Sequence, residues 1–157
     1  MLYDTLKICV SVFFNVLNKL MGGKLPPFGT ASVIVEQGGR YLVVELPRGR
    51  VVFPGGFMTW KEQPPQAAER EGREETGLQL HVLDLIGVYS EVSDSFTRMS
   101  NVGFVYRAEV VGGTLRKNIE GQPCWLDERE LRQRMNSGSL RVLDDYLRKQ
   151  NSGAKLM

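Results

Sequence analysis

At 157 residues the chain is long enough for one domain with its own core. A net charge of +2, with 42% apolar and 24% charged residues, marks an ordinary soluble globular composition and gives no electrostatic case for nucleic-acid binding. Cys9 and Cys124 fit no disulfide or zinc spacing, and a lone His81 excludes a His-rich metal site or a Ser-His triad; reduced thiols in a cytoplasmic protein are expected.

The first element is the apolar run "LKICVSVFFNVLNKLM". Lys7 and Lys19 frame only eleven residues, short of the roughly 20 that a membrane span needs. Leu6, Cys9, Val10, Phe13, Val16, Leu17 and Leu20 recur at helical spacing, with Lys7, Ser11, Asn15 and Asn18 opposite. The pattern predicts an amphipathic helix over Leu2 to Met21 with a broad apolar face. "GGKLPPFG" then breaks regular structure as a linker.

"TASVIVEQ" and "RYLVVEL" read as two strands of a hairpin turning at Gly38-Gly39. "PRGR" turns the chain, and "VVFPGG" reads as a short buried strand ending in a loop. Pro64 and Pro65 suit a helix's first turn and Gly77 a C-terminal cap, which predicts a helix from Pro65 to Thr76. "LQLHVLDLIGVYSEV" and "NVGFVYRAEVVGG" have strand composition, separated by the polar loop "SDSFTRMS". Asp127 and Glu130 form a capping-box pattern before the helix "ERELRQRM". Ser139 caps a final helix in "SLRVLDDYLRKQ", and "NSGAKLM" is a frayed tail. The expected organisation is 1–24 helix and linker, 25–150 one domain, and 151–157 tail. Strand, strand, helix, strands, helix argues for a mixed sheet with helices packed on it, an α/β (α+β) class.

The helix after the glycines carries the chemistry. Glu71, Glu74 and Glu75 stand at i, i+3 and i+4 and share one face, where like charges destabilise an isolated helix. Arg70 and Arg73 partly neutralise them, so a solvated acidic face is the plain alternative. Yet Gly56, Glu62, Arg70, Glu71, Glu74, Glu75 and Gly77 fall in the spacing Gly-x5-Glu-x7-Arg-Glu-x-x-Glu-Glu-x-Gly. Seven fixed positions match at a chosen site with a chance of roughly one in a hundred million. In this stretch, Gly56 to Leu78, the chain resembles a Nudix hydrolase. Gly72 departs from the pattern, standing where the family carries a bulky aliphatic residue, and Lys61 replaces a common glycine.

The resemblance implies an α/β/α sandwich with a mixed sheet, to which the N-terminal helix is an addition. It also implies that Gly55 (through its carbonyl), Glu71, Glu74 and Glu75 hold Mg²⁺ or Mn²⁺. Oxygen-only donors of this kind select hard cations. Arg70 is expected to hold Glu62 or a neighbouring carboxylate in position, or else to make an ordinary i,i+4 pair with Glu74. A box glutamate such as Glu74, or the loop residue Glu120, is the candidate general base, with Glu91 a weaker one. Arg48 and Arg50 are candidate contacts for substrate phosphates, or a solvated turn. Phe57, Trp60, Tyr89 and Phe96 offer stacking surfaces for a base, or loop and core packing.

The expected activity is Mg²⁺-dependent cleavage of the diphosphate linkage of a nucleoside triphosphate or a nucleotide sugar, by water attack on phosphorus. A non-catalytic module that binds a nucleotide and regulates a partner is the alternative; a hydrolase recruited to a membrane surface by its N-terminal helix is a third. No nucleic-acid partner is expected and a membrane is disfavoured. That helix docks on its own domain or pairs two copies in a homodimer. The space opposite Gly72 is expected to hold a large side chain from elsewhere, with Phe13 and Phe14 as candidates.

Overall fold

The computed structural model describes residues 2–93, 95–118 and 121–154, with side chains from residue 8 to residue 152 within them. Helix α1 spans Leu2–Leu20. The strands are β1 (Phe28–Gln37), β2 (Arg40–Glu45), β3 (Val51–Val52), β4 (Gly55–Phe57), β5 (Leu78–Glu91), β6 (Asn101–Gly113) and β7 (Gln122–Asp127). Helices α2 (Pro64–Thr76), α3 (Glu128–Arg134) and α4 (Ser137–Ala154) complete the chain.

The sheet has the order β3-β2-β1-β6-β5, with β4 added to β1 and β7 to β2. Strand β1 runs parallel to β6, from Phe28 opposite Asn101 to Val35 opposite Ala108, while its pairings with β2 and β4 are antiparallel. The sheet is therefore mixed. Gly38 and Gly39 both adopt positive φ (59° and 74°), the conformation that a two-residue hairpin turn requires.

Alternation along β1 sorts the core into two layers. Ala31, Val33 and Val35 face α2 and pack with its Ala67 and Ala68. Ile34 points to the other side, among Leu131 of α3 and Leu143 and Tyr146 of α4. Helices thus cover both faces, and the architecture is the α/β/α sandwich.

Local signals account for most element ends. Asp127 Oδ1 accepts the Glu130 N–H at 2.8 Å and Glu130 Oε2 accepts the Asp127 N–H at 3.1 Å, closing the capping box. Gly77 is left-handed and its N–H bonds the Arg73 carbonyl, ending α2. Three details differ from the sequence reading. Helix α2 begins at Pro64 under a Gln63–Gln66 box. Asn136, not Ser139, caps α4, its Oδ1 accepting the Ser139 N–H at 2.8 Å. Residues 151–154 continue α4 where a frayed tail was expected.

The N-terminal helix meets its own domain by its polar side, opposite to the side that own-domain docking was expected to bury. Ser11 is buried, and Asn15 Nδ2 donates to the carbonyls of Phe96 and Arg98 in the β5–β6 loop, at 3.1 and 2.7 Å. Phe14 is its apolar anchor, stacked edge-on against Phe28 with centroids 4.8 Å apart. Ile8, Phe13, Val16 and Leu20 remain exposed. Among the described residues no helix is long and apolar enough to cross a membrane.

The space at Gly72 is filled by neither phenylalanine of α1. A Cβ built there would lie 2.5 Å from Leu80 Cδ1 and 3.6 Å from Val33 Cγ2. The large residue is Leu80, from the strand that follows α2.

Candidate active site

Strand β4 and helix α2 bring the box together. Pairing of Gly56 with Ala31 turns its missing side chain toward α2. A Cβ on Gly56 would stand 2.6 Å from Glu71 Cδ and 2.7 Å from both of its oxygens. Only glycine leaves room for that carboxylate against the strand. One residue earlier, the Gly55 N–H donates to Glu75 Oε2 at 2.9 Å, and Glu75 is buried.

Arg70 occupies the centre of the acidic group. Its Nε and Nη2 reach the two oxygens of Glu62 at 2.9 and 2.7 Å. Its Nη1 donates to Glu71 Oε1 at 2.9 Å and to Glu74 Oε2 at 3.2 Å, and Nη2 also reaches the Phe57 carbonyl at 3.0 Å. The bidentate pair with Arg70 holds the Glu62 carboxyl at about 2, well below its ordinary 4.5, with the Thr59 N–H assisting. The same pairing, opposed by burial and reinforced by Glu71, raises the Arg70 pKa further above its ordinary range.

Glu69 belongs to a different contact set: its Oε1 accepts the Val82 N–H at 2.8 Å and pins α2 to β5. Arg48 and Arg50 lie on the exposed turn between β2 and β3, and no hydrogen bond among the described residues joins them to the box. Glu120 lies outside the described residues. Of the aromatic candidates, Phe57 is half-exposed and meets Phe28 edge-on, Phe96 is exposed, and Trp60 is fully exposed. Tyr89 is tied inward, its hydroxyl donating to Asp145 Oδ2 at 2.9 Å. Glu91 Oε2 accepts from Asn101 at the end of β5, outside the box.

Among the described residues no three acidic, histidine or cysteine side chains form a cluster arranged to hold a metal ion, because Arg70 stands between Glu62, Glu71 and Glu74 and Glu75 turns to a backbone N–H. The chemistry nevertheless fits: every side-chain donor is a carboxylate oxygen, and the space at Gly56 keeps Glu71 against the strand that carries the Gly55 carbonyl.

Sequence reasoning missed the surroundings of Glu74. A cleft of about 690 Å³ adjoins it, lined by Arg73, Gln79, Thr114, Arg116 and Lys117. The basic run "LRKN" after β6 was the available signal.

A family model described as NUDIX domain matches residues 26–146. A MutT-like protein of Streptomyces ambofaciens is 33% identical over 117 residues, which cover 73% of this chain and 73% of that protein. An ADP-ribose pyrophosphatase of Methanocaldococcus jannaschii is 28% identical over 131 residues, 81% of this chain and 77% of its own. The solved structure of a NUDIX hydrolase from Nitrosomonas europaea superposes with a TM-score of 0.71 at 25% identity, covering 79% of this chain and 90% of that one. With the box assembled on β4 and α2 and the match spanning all seven strands, the chain belongs to the Nudix hydrolase family.

Proposed function

We propose that the protein hydrolyses the diphosphate linkage of a nucleoside diphosphate derivative by attack of water on phosphorus. The observation that carries the reading is the single guanidinium of Arg70 bound to Glu62, Glu71 and Glu74 against a glycine strand. A solvated acidic face needs no such fixed arrangement. The similarity to an ADP-ribose pyrophosphatase supports the diphosphate as the point of cleavage.

In this reading Glu71, Glu74 and Glu75, with the Gly55 carbonyl, would hold Mg²⁺ or Mn²⁺. When bound, the cation supplies neutralisation of the diphosphate charge and lowers the cost of deprotonating water. Arg70 keeps Glu71 and Glu74 oriented, and Glu62 keeps Arg70 in place. Glu74, whose side chain is 55% exposed, takes the proton of the attacking water. The water oxygen bonds to phosphorus as the bridging P–O bond breaks, and the leaving phosphate keeps the bridging oxygen.

The test is a panel of nucleoside triphosphates and nucleotide sugars with Mg²⁺ or Mn²⁺, read as phosphate or nucleoside monophosphate release. Glu71→Gln and Glu75→Gln should each lower turnover by orders of magnitude with the melting temperature kept, and Glu74→Gln by about 10²–10⁴-fold. Wild-type rates in these variants would refute the assignment. Nucleotide binding without turnover would identify a regulatory module instead.

A further inference from the structure

The last turn of α2 carries the acidic box on one side and borders a cleft of opposite charge on the other. Arg73 and Glu74 of α2 face Arg116 and Lys117 of the segment after β6 across a space of about 690 Å³. One backbone and one side-chain hydrogen bond hold that segment in place. The Arg116 N–H donates to the Thr76 carbonyl at 2.9 Å, and Asn118 Nδ2 donates to the Glu74 carbonyl at 3.2 Å. A Cβ on Gly77 would lie 2.5 Å from the Thr114 carbonyl, so glycine is what lets helix and segment close.

The cations are therefore brought together by hydrogen bonds of the chain around them and not by charges of their own. Among the described residues no ion pair includes Arg73, Arg116 or Lys117. Three cations beside one carboxylate repel one another. The C-terminus of α2 offsets only about half a charge. A multiply charged anion removes the remainder, and phosphate oxygens are the acceptors that guanidinium and ammonium donors match.

We propose that this cleft binds a phosphate group of the substrate lying beyond the diphosphate at the box. The preferred substrate class is then a nucleoside triphosphate or a longer phosphate chain, not a nucleotide sugar. The substrate assignment rests on the hydrolase reading above; the anion site does not.

Two measurements on the full chain test it. Tripolyphosphate is titrated by calorimetry, without divalent metal, into wild type, the Arg116→Ala/Lys117→Ala double variant, and Arg40→Ala as a control for net charge. The double variant should bind at least about tenfold more weakly, the loss expected for charged hydrogen bonds, while Arg40→Ala matches wild type. In the kinetic arm, with Mg²⁺, the double variant should raise KM for the best-cleaved nucleoside triphosphate by a similar factor, leaving its kcat and the KM for ADP-ribose unchanged. Equal tripolyphosphate binding by wild type and double variant overturns the site. Weakened binding with an unchanged triphosphate KM shows that the cleft takes free phosphate and overturns the substrate assignment, as does cleavage of ADP-ribose alone. Turnover of nothing in the panel refutes the hydrolase reading and the substrate assignment with it; the titration still decides separately whether the anion site exists.

Discussion

Arg70 reaches five acceptors from one side chain, and its two bonds to Glu62 span eight residues of chain. That pair makes a prediction with a definite sign. The Glu62 carboxyl is depressed from 4.5 to about 2, so its contribution to stability is complete above pH 4.5 and is lost as pH falls toward 2. Arg70→Met should flatten this part of the acid limb in pH-dependent denaturant melts; an unchanged acid slope would mean that the pair contributes nothing to folding. Gly72 supports a second expectation. Valine there restores the family pattern but meets Leu80 Cδ1, and overpacking of this kind costs about 1–3 kcal/mol. Gly72→Val should lower the urea midpoint, whereas Gly72→Ala, with about 1 kcal/mol of helix propensity in its favour, should fall between the two. A higher midpoint for valine would show that Leu80 yields freely. Spacing on one helix made the carboxylate face and Arg70 legible in the sequence. It could not name Leu80 as the occupant of the Gly72 space, because that contact depends on how β5 lies across α2.

Helix α4 is fastened to the sheet by polar contacts that no periodicity announces. Tyr89 of β5 bonds Asp145, Tyr146 bonds Glu36 of β1 at 2.9 Å, and Lys149 Nζ reaches the Leu85 carbonyl at 2.9 Å. Helical spacing predicted α4 itself, and the capping box fixed the start of α3, since both are local signals. The parallel pairing of β1 with β6 was not legible, because it joins segments more than sixty residues apart and rests on register. Burial, and then the bond to Asp145, push the Tyr89 hydroxyl up from 10.0 to about 12. A raised value means that the contribution is complete below pH 10 and disappears as pH rises through about 12. The fold should therefore lose stability across that interval, and Tyr89→Phe should remove part of the slope. Thermal melts in a pH series measure it; identical alkaline slopes for the two proteins would remove Tyr89 from the account.

Across the whole molecule, the family match begins at residue 26, just after α1 and its linker. The apolar stripe of α1 was expected to be covered by its own domain or by a second chain, so that deleting residues 1–21 would expose apolar surface and cause aggregation or a change of oligomeric state. Within the single chain, the domain leaves most of that stripe uncovered. Ser11 is buried and Asn15 bonds the β5–β6 loop, while Ile8, Phe13, Val16 and Leu20 are exposed and Phe14 stacks on Phe28. Hydrophobic periodicity located the helix and its stripe, but could not say which side docks. The polar side carries Asn15, whose Nδ2 donates to the carbonyls of Phe96 and Arg98, contacts that no apolar side chain could make. Both core layers lie wholly outside α1. Removing residues 1–21 should thus subtract exposed apolar surface and uncover little beyond Phe28. We expect the truncated chain to melt cooperatively, to bind less of an apolar dye such as ANS, and to scatter less light at high concentration than the full chain. Greater dye binding or aggregation after truncation would mean that the outward stripe is covered in the full-length protein in solution and that its partner surface has been laid bare.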